Sequence, residues 1–101
     1  MKLRLLLAAE QDIEKLFLYI QDDLANPVAA RNIVQKILQR MQQLTSFPEL
    51  GASMITIDTR LKAYRYLIVD NYLIVYRYNE DAIYVIRVLY ARSDYVRILQ
   101  G

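Results

Sequence analysis

Five side chains have the types that phosphate chemistry demands: Lys62, Arg65, Arg87 and Arg92 as cations, and Tyr90 as a phenol between the last two. Chemistry on a phosphate needs cations to stabilise its charge and groups that can give and take protons. Cations are plentiful and a base is scarce. The chain has no histidine and no cysteine, which removes the commonest general base and all thiolate chemistry. A free tyrosine titrates near pH ~10 and needs neighbouring arginines to act at neutral pH. Only Asp, Glu, Lys, Arg and Tyr remain for any proton transfer. The same residues serve equally well as a rigid, positively charged surface that binds a partner and breaks no bond. Asp12, Glu14, Asp22 and Asp23 read as a solvated helix face, because their spacing does not converge them on one point. No metal and no cofactor is called for.

The elements that must hold these residues are legible from residue pattern. Arg60 to Leu99 contains eight of the nine tyrosines and seven of the thirteen basic residues. Its β-branched and aromatic runs are separated by Asp70-Asn71 and by Asn79-Glu80-Asp81, which predicts a three-stranded antiparallel meander. A two-residue turn at Asp70-Asn71 sets Val69 against Tyr72, Leu67 against Ile74 and Arg65 against Tyr76. It leaves Tyr64, Tyr66 and Ile68 on the other surface with Arg77, Val75 and Leu73. The second turn has two or three residues, and that choice decides the face of Arg87. Both meander surfaces are apolar, so one belongs under helices and the other needs a further element or a partner chain.

Upstream the period changes. From Glu10, Ile13, Leu16, Phe17, Ile20 and Leu24 recur on one helix face. Asn26 caps and Pro27 opens a second helix through Ala30, Ile33, Ile37, Met41 and Leu44, which stops before Pro48. Residues 2–8 predict one more strand, with Leu3, Leu5 and Leu7 on one face, and Met54 to Ile57 a short strand or an extended loop. Asp94 caps a final turn or short helix, Asp94 to Leu99. The fold class is α+β: an N-terminal strand, then a helical hairpin packed on the meander, in a single domain over residues 1–101.

Composition narrows the setting. The formal net charge is +2, with the excess in the C-terminal half, which is weak support for nucleic acid by itself. The Leu3 to Ala9 run is short and carries Arg4, so no membrane span is expected and the default location is the cytoplasm. The bland readings are that the tyrosines fill the sheet and that Arg65, Arg77 and Arg87 pair across strands with Asp70, Glu80 or Asp81.

The segments NPVAARNIVQKI, LTSFPELG, YLIVYRY and VIRVLYARSDYVRIL, in this order and spacing, resemble the RelE/ParE superfamily of toxins from type II toxin-antitoxin systems. The resemblance implies a growth-inhibiting bacterial toxin bound by a cognate antitoxin, with operator DNA reached only through the toxin-antitoxin complex. It implies one of two targets: DNA gyrase, poisoned by ParE-like members, or the ribosome with its mRNA, cut by RelE-like members. The catalytic arginine, arginine and tyrosine of the ribonucleases fall on Leu73, Ala91 and Arg97, so none is kept, and a ribonuclease of this family would have to rest on Lys62, Arg65, Arg87 and Arg92 with Tyr90 as its proton-transfer group. Many relatives also carry histidine at the position of Tyr90 and arginine at that of Ser93. The ParE-like branch is therefore the expectation, the ribonuclease is the alternative, and a toxin fold retained only for antitoxin and operator binding is a third.

Overall fold

The computed structural model describes residues 1–100. Strand β1 (Lys2–Leu5) is followed by helix α1 (Leu7–Leu18), a π-helical turn (Tyr19–Asp23) and helix α2 (Pro27–Leu44). A short strand β2 (Ala52–Ser53) and two 3₁₀ turns (Met54–Thr56 and Thr59–Leu61) lead into β3 (Arg65–Val69), β4 (Tyr72–Tyr78), β5 (Ala82–Tyr90) and helix α3 (Tyr95–Gln100). The strands form one sheet in the order β1-β5-β4-β3-β2. The expected three-stranded meander is its centre, flanked by β1 in parallel with β5 and by β2 antiparallel to β3.

The register at Asp70-Asn71 is the one the turn chemistry dictates: Val69 faces Tyr72, Leu67 faces Ile74 and Arg65 faces Tyr76. Asp70 takes φ 51°, the left-handed value that aspartate tolerates in such turns. Between β4 and β5 the ladder slips. Tyr76 opposes Val85 and Val75 opposes Arg87, so Ile86 is an inserted bulge residue.

Three boundaries differ from expectation. Residues 2–8 are not all strand: the Leu6 N–H donates to the Val85 carbonyl, closing the β1 pairing, while the Leu6 carbonyl accepts from Ala9 and Glu10 and starts the helix. Leu7 therefore points away from the core and is largely exposed, unlike Leu3 and Leu5. Leu24 lies beyond the π-helical turn, where Ala25 reverses the chain at φ 50°, and it is exposed. Met54–Thr56 is a 3₁₀ turn capped by the Ser53 hydroxyl, with Ile57 just beyond it, so the strand in this region is Ala52–Ser53.

The helices bury their apolar stripes on one sheet face. Ile33, Ile37, Met41 and Leu44 of α2 and Ala9 and Leu16 of α1 pack on Leu67, Val69, Ile74, Tyr76, Ile83 and Val85. The opposite face is covered in part by the chain itself: Met54 and Leu61 of the 3₁₀ turns and Tyr95, Val96 and Leu99 of α3 pack with Leu73 and Val75. The entry to α2 is the expected cap, with the Asn26 side-chain oxygen accepting from the Ala29 N–H at 3.1 Å and Pro27 at the first helical position. Asn26→Ala should lower stability by about 1 kcal/mol, read as a shift of the denaturation midpoint with an unchanged slope. An unshifted midpoint would mean that solvent replaces the cap fully.

Candidate target- and partner-binding surfaces

Two of the five site candidates are held by the fold. Arg87 makes a two-point contact with Asp12 of α1, Nε to Oδ2 at 2.7 Å and Nη2 to Oδ1 at 2.8 Å. The same carboxylate accepts the Val88 N–H at 2.9 Å. The geometry follows from topology, because β1 stops pairing after Leu5 and leaves the edge of β5 open beyond Val85. Asp12 supplies the acceptor that a longer β1 would have given, and this pairing raises the Arg87 guanidinium pKa, chiefly through the Asp12 hydrogen bonds. Both residues depart from expectation. Asp12 is not on a solvated face, and Arg87 does not pair with Asp70, Glu80 or Asp81.

Arg65 has a different anchor. Its Nη2 donates to the carbonyls of Gly51 at 2.6 Å and Glu49 at 3.2 Å, while its buried Nε has no partner. Beside it, the Tyr76 hydroxyl donates to the Pro48 carbonyl at 2.6 Å and accepts from the Gly51 N–H at 2.9 Å. Arg65 and Tyr76 together fasten the 48–51 loop to the sheet, so Arg65 also pairs with no cross-strand carboxylate. Asp70 instead meets Lys36 of α2 at 3.3 Å on an exposed surface, and such a pair contributes little.

Lys62, Tyr90 and Arg92 are exposed. Tyr90, at the end of β5, meets Tyr72 edge to face, with ring centroids 5.8 Å apart. Burial, then the proximity of Tyr90 and Tyr19, pushes the Tyr72 phenol pKa up. These rings stand at one end of a cleft of about 900 Å³ between the helical hairpin and the sheet, whose apolar wall includes Leu16, Ile20, Ile33 and Val88. The five candidates do not converge. Arg65 lies four residues along β4 from the Tyr72–Tyr90 row, about 13 Å at the rise of a strand. Asp12, Tyr19, Lys36 and Tyr72 frame the cleft and were not singled out as site residues. The legible signal was Asp12 four residues before Leu16, which puts it beside the buried stripe of α1.

Of the three positions equivalent to ribonuclease catalytic residues, two are apolar packing here and the third is an exposed arginine. Leu73 is buried, Ala91 packs on the same cluster, and Arg97 projects from α3 into solvent within reach of Asp94 alone. Among the described residues there is no cluster of side chains that could hold a metal ion, and no helix is long and apolar enough to cross a membrane.

Comparison with curated proteins gives no match. Among solved structures, the fold is similar to a chain of the chromosomal ParDE toxin-antitoxin system from P. aeruginosa, with a TM-score of 0.76 at 19% identity, covering 91% of this chain and 97% of that one. The family model for the ParE toxin of type II toxin-antitoxin systems (parDE) matches residues 3–95, from β1 to the first residue of α3. With the strand, helical hairpin and meander in that order over nearly the whole chain, it belongs to the ParE toxin family.

Proposed function

We propose that this toxin acts by binding DNA gyrase and that a cognate antitoxin restrains it by occupying the cleft between the helical hairpin and the Tyr72–Tyr90 end of the sheet. The observation that carries binding over cleavage is the packing of Leu73 and Ala91 where the ribonucleases place catalytic arginines. A phosphodiester cut there would lack both cations and any base except Tyr90, whose hydroxyl has no hydrogen-bonded cation among the described residues. The antitoxin reading is supported by the cleft's apolar wall and by the exposed Tyr19, Leu24 and Tyr90 at its rim, the kind of groove an amphipathic helix fills. Arg92 and Lys62 remain as exposed cations for the target, while Arg65 and Arg87 act by holding the scaffold.

The test is induction in growing bacteria with two outputs followed together, the integrity of translated mRNA and the appearance of gyrase-linked DNA breaks. DNA breaks with intact mRNA are expected, and Tyr90→Phe should leave them within about twofold. If Tyr90 were a general acid or base, the same substitution would reduce the rate on the order of 10²- to 10⁴-fold. Prompt codon-positioned mRNA cleavage that vanishes in Tyr90→Phe would overturn the proposal. No growth effect at all would leave the retained-fold reading.

A further inference from the structure

The sheet ends on two unlike edges. β1 carries Lys2 and Arg4, the kind of charge that keeps an edge strand from pairing with another chain. β2 carries none. From Met41 to Ile57 the one charged residue is Glu49, in a chain that is 24% charged, so the end of α2, the loop after it, β2 and the first 3₁₀ turn form a charge-poor rim. That rim is apolar as well as bare. Phe47 is 66% exposed, Leu50, Ile55 and Ile57 are exposed near it, and exposed Ile68 lies on the part of β3 that β2 leaves uncovered.

The backbone of β2 is open in the same direction. Ala52 pairs with Tyr66, and the Met54 N–H donates to the Tyr64 carbonyl. By the alternation of an antiparallel ladder, the Ser53 N–H and C=O between them point away from β3. The Ser53 carbonyl accepts from the Thr56 hydroxyl at 3.3 Å, and its N–H has no partner among the described residues. The loop leading into β2 is fastened by Arg65 and Tyr76 through Gly51, so Phe47 and Leu50 stand on a fixed support. Phe47 is also one wall of a hollow of about 430 Å³ that it shares with Pro48, Leu50 and Tyr78, which puts a protruding ring and an apolar recess side by side on one copy.

We propose that two copies of the chain join through this edge, β2 against β2 about a two-fold axis at Ser53. A nucleic acid or a strongly charged protein finds almost no charge here to select it, so recognition rests on packing and edge pairing. A two-fold antiparallel pair gives each Ser53 N–H the Ser53 carbonyl of the other copy. It also brings Leu50 of each copy toward Ile55 of the other, so the apolar residues on either side of β2 cover one another, as an isologous contact requires. Pairing of β2 with the β1 edge of a further copy would set Lys2 and Arg4 against an apolar rim, so the assembly closes at two. The rim, residues 41–57 with Ile68, approaches the roughly 20 residues a side of a standard interface. None of residues 41–57 lines the cleft, so this pairing leaves both clefts open and is independent of the antitoxin reading.

The experiment is sedimentation equilibrium of the full chain alone over a range of concentrations. It should give twice the monomer mass of 11.9 kDa, with a micromolar dissociation constant, the weak end for an interface of this size. Phe47→Ala and Ile55→Lys should each weaken association about tenfold or more and melt within a few degrees of the parent, since both side chains are exposed. Leu7→Lys replaces an α1 side chain that is 69% exposed, and it should leave the dimer unchanged, which separates edge pairing from general stickiness. The chain has no cysteine, so Ser53→Cys adds a single thiol. Across the axis the two Cα atoms would stand about 5.5 Å apart, within disulfide range, and mild oxidation should give a covalent dimer that Leu7→Cys does not give. The proposal is overturned by a monomer at every concentration, by growth beyond two copies, by equal loss of the dimer in Leu7→Lys, by parental association in Phe47→Ala or Ile55→Lys, or by no covalent dimer from Ser53→Cys.

Discussion

Asp12→Ala is expected to lower the unfolding free energy by about 2–3 kcal/mol. Removing one partner of a fully buried ion pair typically destabilises by about 3–5 kcal/mol, because the other charge is left desolvated and unpaired. Here the Asp12 side chain is 9% exposed and that of Arg87 is 29% exposed, so water recovers part of the guanidinium's solvation and the lower range applies. The Val88 N–H loses its acceptor in the same stroke, which adds to the effect. Arg87→Met in the Asp12→Ala background should restore much of the loss, leaving the Val88 amide as the residue of it. Urea midpoints of the two single variants and the double variant give the coupling directly. A single variant within 0.5 kcal/mol of the parent, the usual range of neutral surface changes, would return Asp12 to a solvated helix face. Charge reversal at Arg87 should fail in the same assay, which separates it from Arg92, where reversal should weaken target inhibition in a salt-dependent way and leave folding intact.

Gly51→Ala should be more damaging still, at about 3 kcal/mol or more, with a melting temperature lower by roughly 10–20 °C for a domain of this size. The reason is space, since the backbone there does not need a positive φ. An added Cβ would stand 2.6 Å from the Tyr66 carbonyl oxygen and 2.7 Å from both Cε1 and the hydroxyl of Tyr76. Tyr66 is strand backbone and Tyr76 is fully buried, so the 48–51 loop has to move. Its movement breaks the bonds from Gly51 to Tyr76 and from Arg65 to the Gly51 carbonyl. Thermal denaturation followed by near-ultraviolet circular dichroism reads the loss of Tyr76 packing as well as the midpoint, and an unchanged midpoint would show that the loop yields freely.

Local chemistry was legible in the sequence wherever it acted over a few residues. Asn26-Pro27 announced a helix start, and Asp70-Asn71 fixed a register correctly over five pairs. The α2 stripe, Ala30, Ile33, Ile37, Met41 and Leu44, is buried at every position named. What stayed hidden depends on contacts distant along the chain. The bulge at Ile86 has no local signature, so the partner of Arg87 could not be read from β5, and Asp12 on a distant helix could not be foreseen as its acceptor. Arg65 likewise turned inward on loop carbonyls because β2 is only two residues long and the preceding loop needs fastening. Cationic type alone did not distinguish a residue that faces a target from one that holds the scaffold.

The parallel pairing of β1 with β5 also has a consequence for when the toxin first exists in a cell. β1 is an edge strand whose single neighbour is the last strand to be made. At a synthesis rate of about 5–20 residues per second, the roughly 80 residues between Lys2 and Ala82 take about 4–16 s to emerge. Throughout that interval the N-terminal segment has no strand to join, and Asp12 has neither Arg87 nor Val88 to bind. A ribosome that stalls before Val88, or a message broken upstream of it, releases a chain that cannot close its sheet. The folded sheet therefore requires translation to run past Val88, and a partner that recognises that sheet or the cleft beside it meets its surface only after β5 has emerged.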